Sequence, residues 1–270
     1  MRTPLRPLLV VLALIAVTTG VACRGGSSGV TTSALLPEGE SGGVYVALGD
    51  SIAAGYGASD ADTTSYVALV AAALRERFGP DLEMLSLAAG GHTTQDLINT
   101  QLAPALEALR QGDVRLVTVT ISGNDLSSLQ TWPDAAACIQ DVTKPPCPVP
   151  EILAGTEERL STILSRLREA GPDTALVIQV YQNFYSGTGH QYAQAAEQAF
   201  GLINDLILRV AERYGILVAD PGAAFAGRGG ELTHILDPTP DSHPNDAGHQ
   251  AIAEAFLDVL GLSSTDTGTD

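Results

Sequence analysis

Four short stretches of the chain carry the residue types that acyl transfer requires. The first is Leu48-Gly49-Asp50-Ser51-Ile52-Ala53-Ala54-Gly55-Tyr56-Gly57, the second Ser86-Leu87-Ala88-Ala89-Gly90-Gly91-His92 and the third Ser122-Gly123-Asn124-Asp125. The fourth, near the C-terminus, is Asp237-Pro238-Thr239-Pro240-Asp241-Ser242-His243-Pro244-Asn245. A serine hydroxyl becomes a useful nucleophile only when a base takes its proton, and an imidazole such as that of His243 does so near neutral pH. A carboxylate on the other ring nitrogen, with Asp241 the nearest candidate, would fix the tautomer and stabilise the imidazolium. The oxygen of an attacked carbonyl gains negative charge, which the N–H groups of Ser51 and Gly91 and the side-chain amide of Asn124 are suited to receive.

Competing readings of the same residues are weaker. The Gly49–Gly57 turn lacks the Lys-Ser/Thr ending of a phosphate loop. Asp237, Asp241, His243, Asp246 and His249 could surround a metal, but helix capping and packing account for Asp246 and His249, so no metal and no cofactor are expected. Asp125 is expected to cap the segment that follows it. His92, His190 and His234 read as surface or hydrogen-bonded loop residues. Tyr181 and Asn183, in Tyr181-Gln182-Asn183-Phe184-Tyr185, are candidates to line a substrate pocket.

These stretches need elements to position them. Short apolar runs, at Val44–Leu48, Glu83–Leu87, Leu116–Ile121, Ala175–Val180 and Ile216–Ala219, read as strands. They alternate with helical patterns at Tyr66–Phe78, Thr94–Arg110 (broken before Pro104), Glu151–Ala170, Gln191–Tyr214 and Asp246–Leu260. Five buried strands alternating with helices imply an α/β fold, a parallel five-stranded sheet with helices on both faces. In such sheets ligands bind beyond the carboxyl ends of the strands, and the first three stretches fall at those ends. The region from Cys138 to Cys147 interrupts the alternation as a loop insertion.

Composition narrows the setting. The 270 residues include 31 acidic and 14 basic side chains, a net charge of −17, and Lys144 is the only lysine. Such a surface is unsuited to nucleic acid, and 45% apolar residues exclude a wholly disordered chain. Residues 1–22 read as a signal peptide, with Arg2 and Arg6 ahead of an apolar run from Leu8 to Val17. The run ends in Gly20-Val21-Ala22-Cys23, which resembles a bacterial lipoprotein cleavage box with Cys23 as the lipidated residue. Residues 23–43 then form a Gly/Ser-rich tether, residues 44–262 the folded domain and residues 263–270 a polar tail. The expected location is outside the cytoplasm, on a membrane by a lipid anchor if Cys23 is modified and otherwise secreted. In that oxidising compartment Cys138 and Cys147 are expected to pair, closing a loop of roughly ten residues at a gain of about 2–3 kcal/mol.

Taken in order, the four stretches resemble the SGNH (GDSL-type) hydrolase family of esterases and lipases, and the resemblance runs from about Val44 to Leu260. It implies a flavodoxin-like three-layer α/β/α fold, with Ser51 as nucleophile, His243 as base, and Ser51, Gly91 and Asn124 as the oxyanion hole. His243-Pro244-Asn245-Asp246-Ala247-Gly248-His249 is similar to the family's His-Pro-Asn-x-x-Gly-His segment. Three positions depart from the pattern: Ser122 stands where Gly is usual and Ser86 where Asn is frequent. The acid commonly lies three residues before the His, where this chain has Pro240. Asp241, Asp237 and a backbone carbonyl therefore remain alternatives for the acid. The expected function is hydrolysis of small-molecule or lipid carboxylic esters. A carbohydrate O-deacetylase on the same scaffold and a non-catalytic envelope-binding module are the competing readings.

Overall fold

A computed structural model describes Leu36, residues 41–131 and residues 134–263. The signal peptide, Cys23, nearly all of the tether and the end of the tail lie outside the described residues. Five strands, β1 (Val44–Gly49), β2 (Glu83–Ser86), β3 (Val114–Thr120), β4 (Ala175–Gln179) and β5 (Leu217–Ala219), pair in parallel in the order β2-β1-β3-β4-β5. That order reverses direction between β1 and β3, and such a reversal opens a crevice at the strand ends. The helices are α1 (Tyr66–Phe78), α2 (Thr94–Thr100), α3 (Leu102–Gln111), α4 (Ala135–Gln140), α5 (Val149–Ala170), α6 (Ala193–Tyr214), α7 (Gly222–Phe225), α8 (Gly229–Leu232) and α9 (Asp246–Leu260). α1 packs on α9, while α3, α5 and α6 pack side by side, giving the two outer layers of the α/β sandwich.

Helix limits follow local chemistry. Ser65 caps α1 by accepting from the Ala68 N–H, and Asn245 caps α9 by accepting from the Gly248 N–H. Gly215 and Gly261 close α6 and α9 in the left-handed conformation. The break expected before Pro104 falls at Gln101, which is buried and spans to the end of β1. Its side chain accepts from the Gly49 N–H at 2.9 Å and donates to the Gly49 carbonyl at 2.8 Å.

The structure corrects the sequence reading in three places. Not all five strands are buried: β4 is wholly buried and β1 and β3 nearly so, whereas the edge strands β2 and β5 are partly exposed. The Cys138–Cys147 segment is not all loop, because α4 carries Cys138. The two cysteines are disulfide-bonded with Cα atoms 5.2 Å apart. Leu129, Cys138 and Val149 form a small core of their own beneath this segment. Finally, Asp125 does not cap its own segment, a 3₁₀ helix over Gly123–Thr131. It accepts instead from the Thr94 N–H and hydroxyl, the Thr156 hydroxyl and Arg159 Nη2 at 2.9 Å, tying β3's exit to α2 and α5.

The turns after β1 and β3 hold the first and third stretches and bear the cost of positioning them. At Gly49 (φ 148°) a Cβ would lie 2.2 Å from the Thr120 carbonyl oxygen, so only glycine lets the two strand ends approach. The next residue, Asp50, is buried, accepting from the Ile52 N–H and from the Tyr181 hydroxyl at 2.6 Å. Burial raises its carboxyl to about 6, against the lowering effect of these hydrogen bonds and of the His243 charge. On the other turn, Ser122 has φ 108°, is fully buried, and its hydroxyl has no hydrogen-bond partner among the described residues. The family's glycine at this position adopts such a φ without the Cβ strain that serine incurs.

Two outcomes are expected. Ser122→Gly raises unfolding stability by about 1–2 kcal/mol, measured by urea denaturation, because strain and an unpaired hydroxyl are both removed. Asp50 is protonated more readily folded than unfolded, so its contribution is present at low pH and is lost as pH rises from about 4 through about 6. Relative to Asp50→Asn, the parent should lose on the order of 2–3 kcal/mol between pH 3.5 and pH 7. A pH-independent difference between the two proteins would contradict this.

Candidate active site

Ser51 follows β1 at the start of a tight turn in which the Tyr56 N–H returns to the Ser51 carbonyl. His243 reaches it from the loop before α9. That loop is folded back on itself: Thr233 and Pro244 form an antiparallel bridge, the His234 N–H donates to the His243 carbonyl, and the Asp241 N–H donates to the His234 carbonyl. The loop also rests on the Ser51 turn. A Cβ on Gly57 would lie 2.2 Å from the Pro244 carbonyl oxygen and 3.0 Å from the His243 Cβ, so glycine at this positive φ sets how near the two segments come.

The resulting contacts form a continuous line. His243 Nε2 lies 2.8 Å from Ser51 Oγ, and His243 Nδ1 lies 2.6 Å from Asp241 Oδ1. Asp241 also accepts from the His243 backbone N–H at 3.0 Å. Partial burial pushes the Asp241 carboxyl up, but the hydrogen bonds from the His243 backbone and ring, aided by His243 and His234 charge, outweigh it. The carboxyl is held below its ordinary value and so remains an acceptor. Asp237, the other carboxylate considered, is engaged elsewhere: it pairs with His234 Nδ1 at 2.7 Å. His234 Nε2 in turn meets the Gly57 carbonyl at 2.8 Å, and this contact, together with Asp237, raises the His234 pKa. His234 therefore links the loop of His243 to the turn of Ser51.

The remaining candidates divide. Asn124 lines a cavity beside Ser51 and donates one amide hydrogen to the His92 carbonyl at 3.0 Å, which orients the amide and leaves its second hydrogen available. Gly91 lies exposed in the turn after β2. Tyr181 lines the cavity with its hydroxyl committed to Asp50. Asn183 does not line it: its amide donates to the Ala193 carbonyl and to Glu197, and its oxygen accepts from the Tyr185 N–H. It braces the start of α6. His249 is a core residue, accepting from the Tyr66 N–H at Nδ1 and meeting the Tyr56 carbonyl through Nε2, and burial lowers its pKa. Asp246 accepts from Ser59 and Thr64, which pull its carboxyl down to about 2. No group of three or more His, Cys, Asp or Glu side chains among the described residues is arranged to hold a metal ion.

Three contributions were not read from the sequence. Asp50 was visible only as the middle of Gly49-Asp50-Ser51, and nothing local signals its burial. The Tyr56 ring stands 5.5 Å from the His243 ring, a contact made only in space. The His234–Asp237 pair did carry a signal, a carboxylate three residues after an imidazole.

The cavity has a volume of about 870 Å³. An activatable hydroxyl, an imidazole oriented by a carboxylate, and an amide beside them are what attack on a carbonyl and stabilisation of its oxyanion require.

Comparisons with known proteins identify the family. The GDSL-like lipase/acylhydrolase family matches residues 47–251. A lipase of Streptomyces rimosus is 26% identical over 247 residues, covering 82% of this chain and 86% of that protein. The crystal structure of phospholipase A1 from Streptomyces albidoflavus NA297 superposes with a TM-score of 0.60 at 26% identity, covering 82% of this chain and 99% of that one. An acetylxylan esterase from Geobacillus stearothermophilus shares the fold at a TM-score of 0.57 and 20% identity, covering 84% of this chain and 98% of that one. The chain belongs to the GDSL-like lipase/acylhydrolase family, a family of ester hydrolases.

Proposed function

We propose that the chain is an exported serine esterase of the lipase or lysophospholipase type, working through an acyl-enzyme on Ser51. The observation that carries the reading is the line Ser51–His243–Asp241, with contacts of 2.8 and 2.6 Å between groups brought from opposite ends of the domain. His243 Nε2 accepts the Ser51 proton as Oγ attacks the ester carbonyl. The negative charge then on the carbonyl oxygen is received by the N–H groups of Ser51 and Gly91 and by the free amide hydrogen of Asn124. Asp241 holds the ring with Nδ1 protonated and stabilises the imidazolium. The tetrahedral species collapses by breaking the bond to the alcohol oxygen, which leaves with the proton from His243. Water deprotonated by His243 then attacks the acyl-enzyme, and the released acid restores Ser51.

The names of the Streptomyces relatives, a lipase and a phospholipase A1, support lipid esters as the substrate class. Export is supported by the leader over residues 1–22. The Cys23 box and the tether behind it support a lipid anchor, whose attached acyl chains would hold the enzyme on a membrane face.

Turnover of p-nitrophenyl butyrate and labelling by a fluorophosphonate probe test the site. Ser51→Ala should abolish labelling, and Asn124→Ala should cost about 100- to 1000-fold in kcat. Asp241→Asn should cost on the order of 10⁴-fold, far more than Asp237→Asn. Equal losses in the two aspartate variants would remove Asp241 from its role. The anchor is tested by fractionating cells that express the full chain. Cys23→Ser should move the enzyme from the membrane fraction to the medium or periplasm, and an unchanged distribution would rule out lipidation.

A further inference from the structure

The cavity beside Ser51 has two chemically different parts. Asp50, Ser51, Asn124 and His243 line its reacting end. The rest runs between α4, which presents Ala135, Ala136 and Ile139, and α6, which presents Ala195, Ala196 and Ala199, and is lined as well by five aromatic rings, those of Tyr185 and Tyr192 among them. Among the described residues no lysine or arginine lines it, which leaves a phosphate or free carboxylate without a charged partner from them. An acetyl group would fill only a small part of about 870 Å³, so a longer acyl chain or a large alcohol must cover the remaining apolar wall. Direction follows from the chain. Beyond Asn124, on the oxyanion side, Leu126 and Leu129 continue the lining toward α4, whereas the leaving alcohol must depart where His243 can protonate it. The wall formed by α4 is fixed, tied by the Cys138–Cys147 bond and seated on its own core of Leu129, Cys138 and Val149.

We propose that the channel between α4 and α6 holds the acyl chain of a medium- to long-chain ester, and that Ala136 and Ala196 set the chain length accepted. This rests on the ester-hydrolase reading above and names its substrate class. Ala136 is exposed and Ala196 half-exposed, although both belong to helices that pack together, because their side chains face the channel rather than a neighbour. A tryptophan at either place would occupy space that now admits methylenes.

The test uses the mature chain with its disulfide intact and p-nitrophenyl esters from acetate to palmitate. Each methylene buried in the channel should raise kcat/KM by up to about fourfold. The parent should therefore favour decanoate over acetate by at least tenfold. Ala136→Trp and Ala196→Trp should each lower the decanoate-to-acetate ratio at least tenfold, a ratio that a partial loss of folded protein leaves untouched. Acetate preferred by the parent, or an unchanged ratio in both variants, would overturn the channel while fluorophosphonate labelling of Ser51 kept the esterase reading alive. A matched series of acetate esters of longer alcohols separates the two sides of the substrate. An effect of the tryptophans on that series alone would assign the channel to the alcohol and overturn the proposal. No labelling and no turnover of any ester would remove the esterase reading, and the channel with it.

Discussion

A 2.8 Å hydrogen bond joins two side chains that lie 192 residues apart, Ser51 and His243, and much of the domain acts as the frame for that distance. Hydrogen bonds of this kind weaken steeply with length and angle, so the two turns must be placed to a fraction of an ångström. One end is set by β1, held between β2 and β3 and stapled at Gly49 by the side chain of Gln101. The other is set by the loop between α8 and α9, doubled back through the Thr233–Pro244 bridge and brought down on Gly57. His234 then spans the gap a second time, from the loop to the Gly57 carbonyl. The two contacts are parallel constraints on one approach.

The polar groups around this contact divide by solvent exposure. Asp241 has a side chain that is 50% exposed, and its partners hold the carboxyl low, so its charge is retained at modest desolvation cost. Asp50, one residue before Ser51, is fully enclosed, and burial raises its carboxyl to about 6. The Tyr181 hydroxyl offsets part of that cost and at the same time positions an aromatic ring on the cavity wall. Ser122 adds backbone strain beside Asn124. Buried polarity and strain collect at the strand ends, while the sheet is otherwise densely apolar, apart from Tyr45, Thr118, Thr120 and Gln179, which pair with one another and with Tyr66 of α1. Sites that must present reactive groups are where such costs are expected to concentrate.

Much of this was legible in one dimension. α1 and α9 have the limits read from the sequence, because Ser65 and Asn245 are side-chain caps and Gly261 is a left-handed terminator. The three central strands were recoverable as apolar runs because burial on both faces removes any alternation. Elements without such a local signature were missed. α4 is six residues long and depends on a disulfide and a small separate core, α7 and α8 are single turns, and the 3₁₀ segment has no periodicity to detect. The exposure of β2 and β5 follows from their places at the sheet edges, which strand order decides and composition does not. Asp125 looked like a local cap because capping is a short-range habit of aspartate, yet its partners are 31 and 34 residues away.

By itself the sequence determined the chemistry on offer, one serine at a strand end, one histidine before the last helix, and glycine and asparagine donors in order between them. It also bounded the fold, since alternating strand and helix patterns leave few arrangements other than a parallel sheet. It left the carboxylate open among Asp237, Asp241 and a backbone carbonyl. Chain separation states how far a carboxylate can reach but not which of two imidazoles it meets, and His234 and His243 both stood within range. The tertiary structure gives each carboxylate its own imidazole, by folding the loop so that His234 and His243 exchange backbone contact. That fold turns Asp237 onto His234 at 2.7 Å and Asp241 onto His243 at 2.6 Å. The pairing depends on the backbone hydrogen bonds of a doubled loop seated on Gly57, and those bonds exist only once the two distant segments have met.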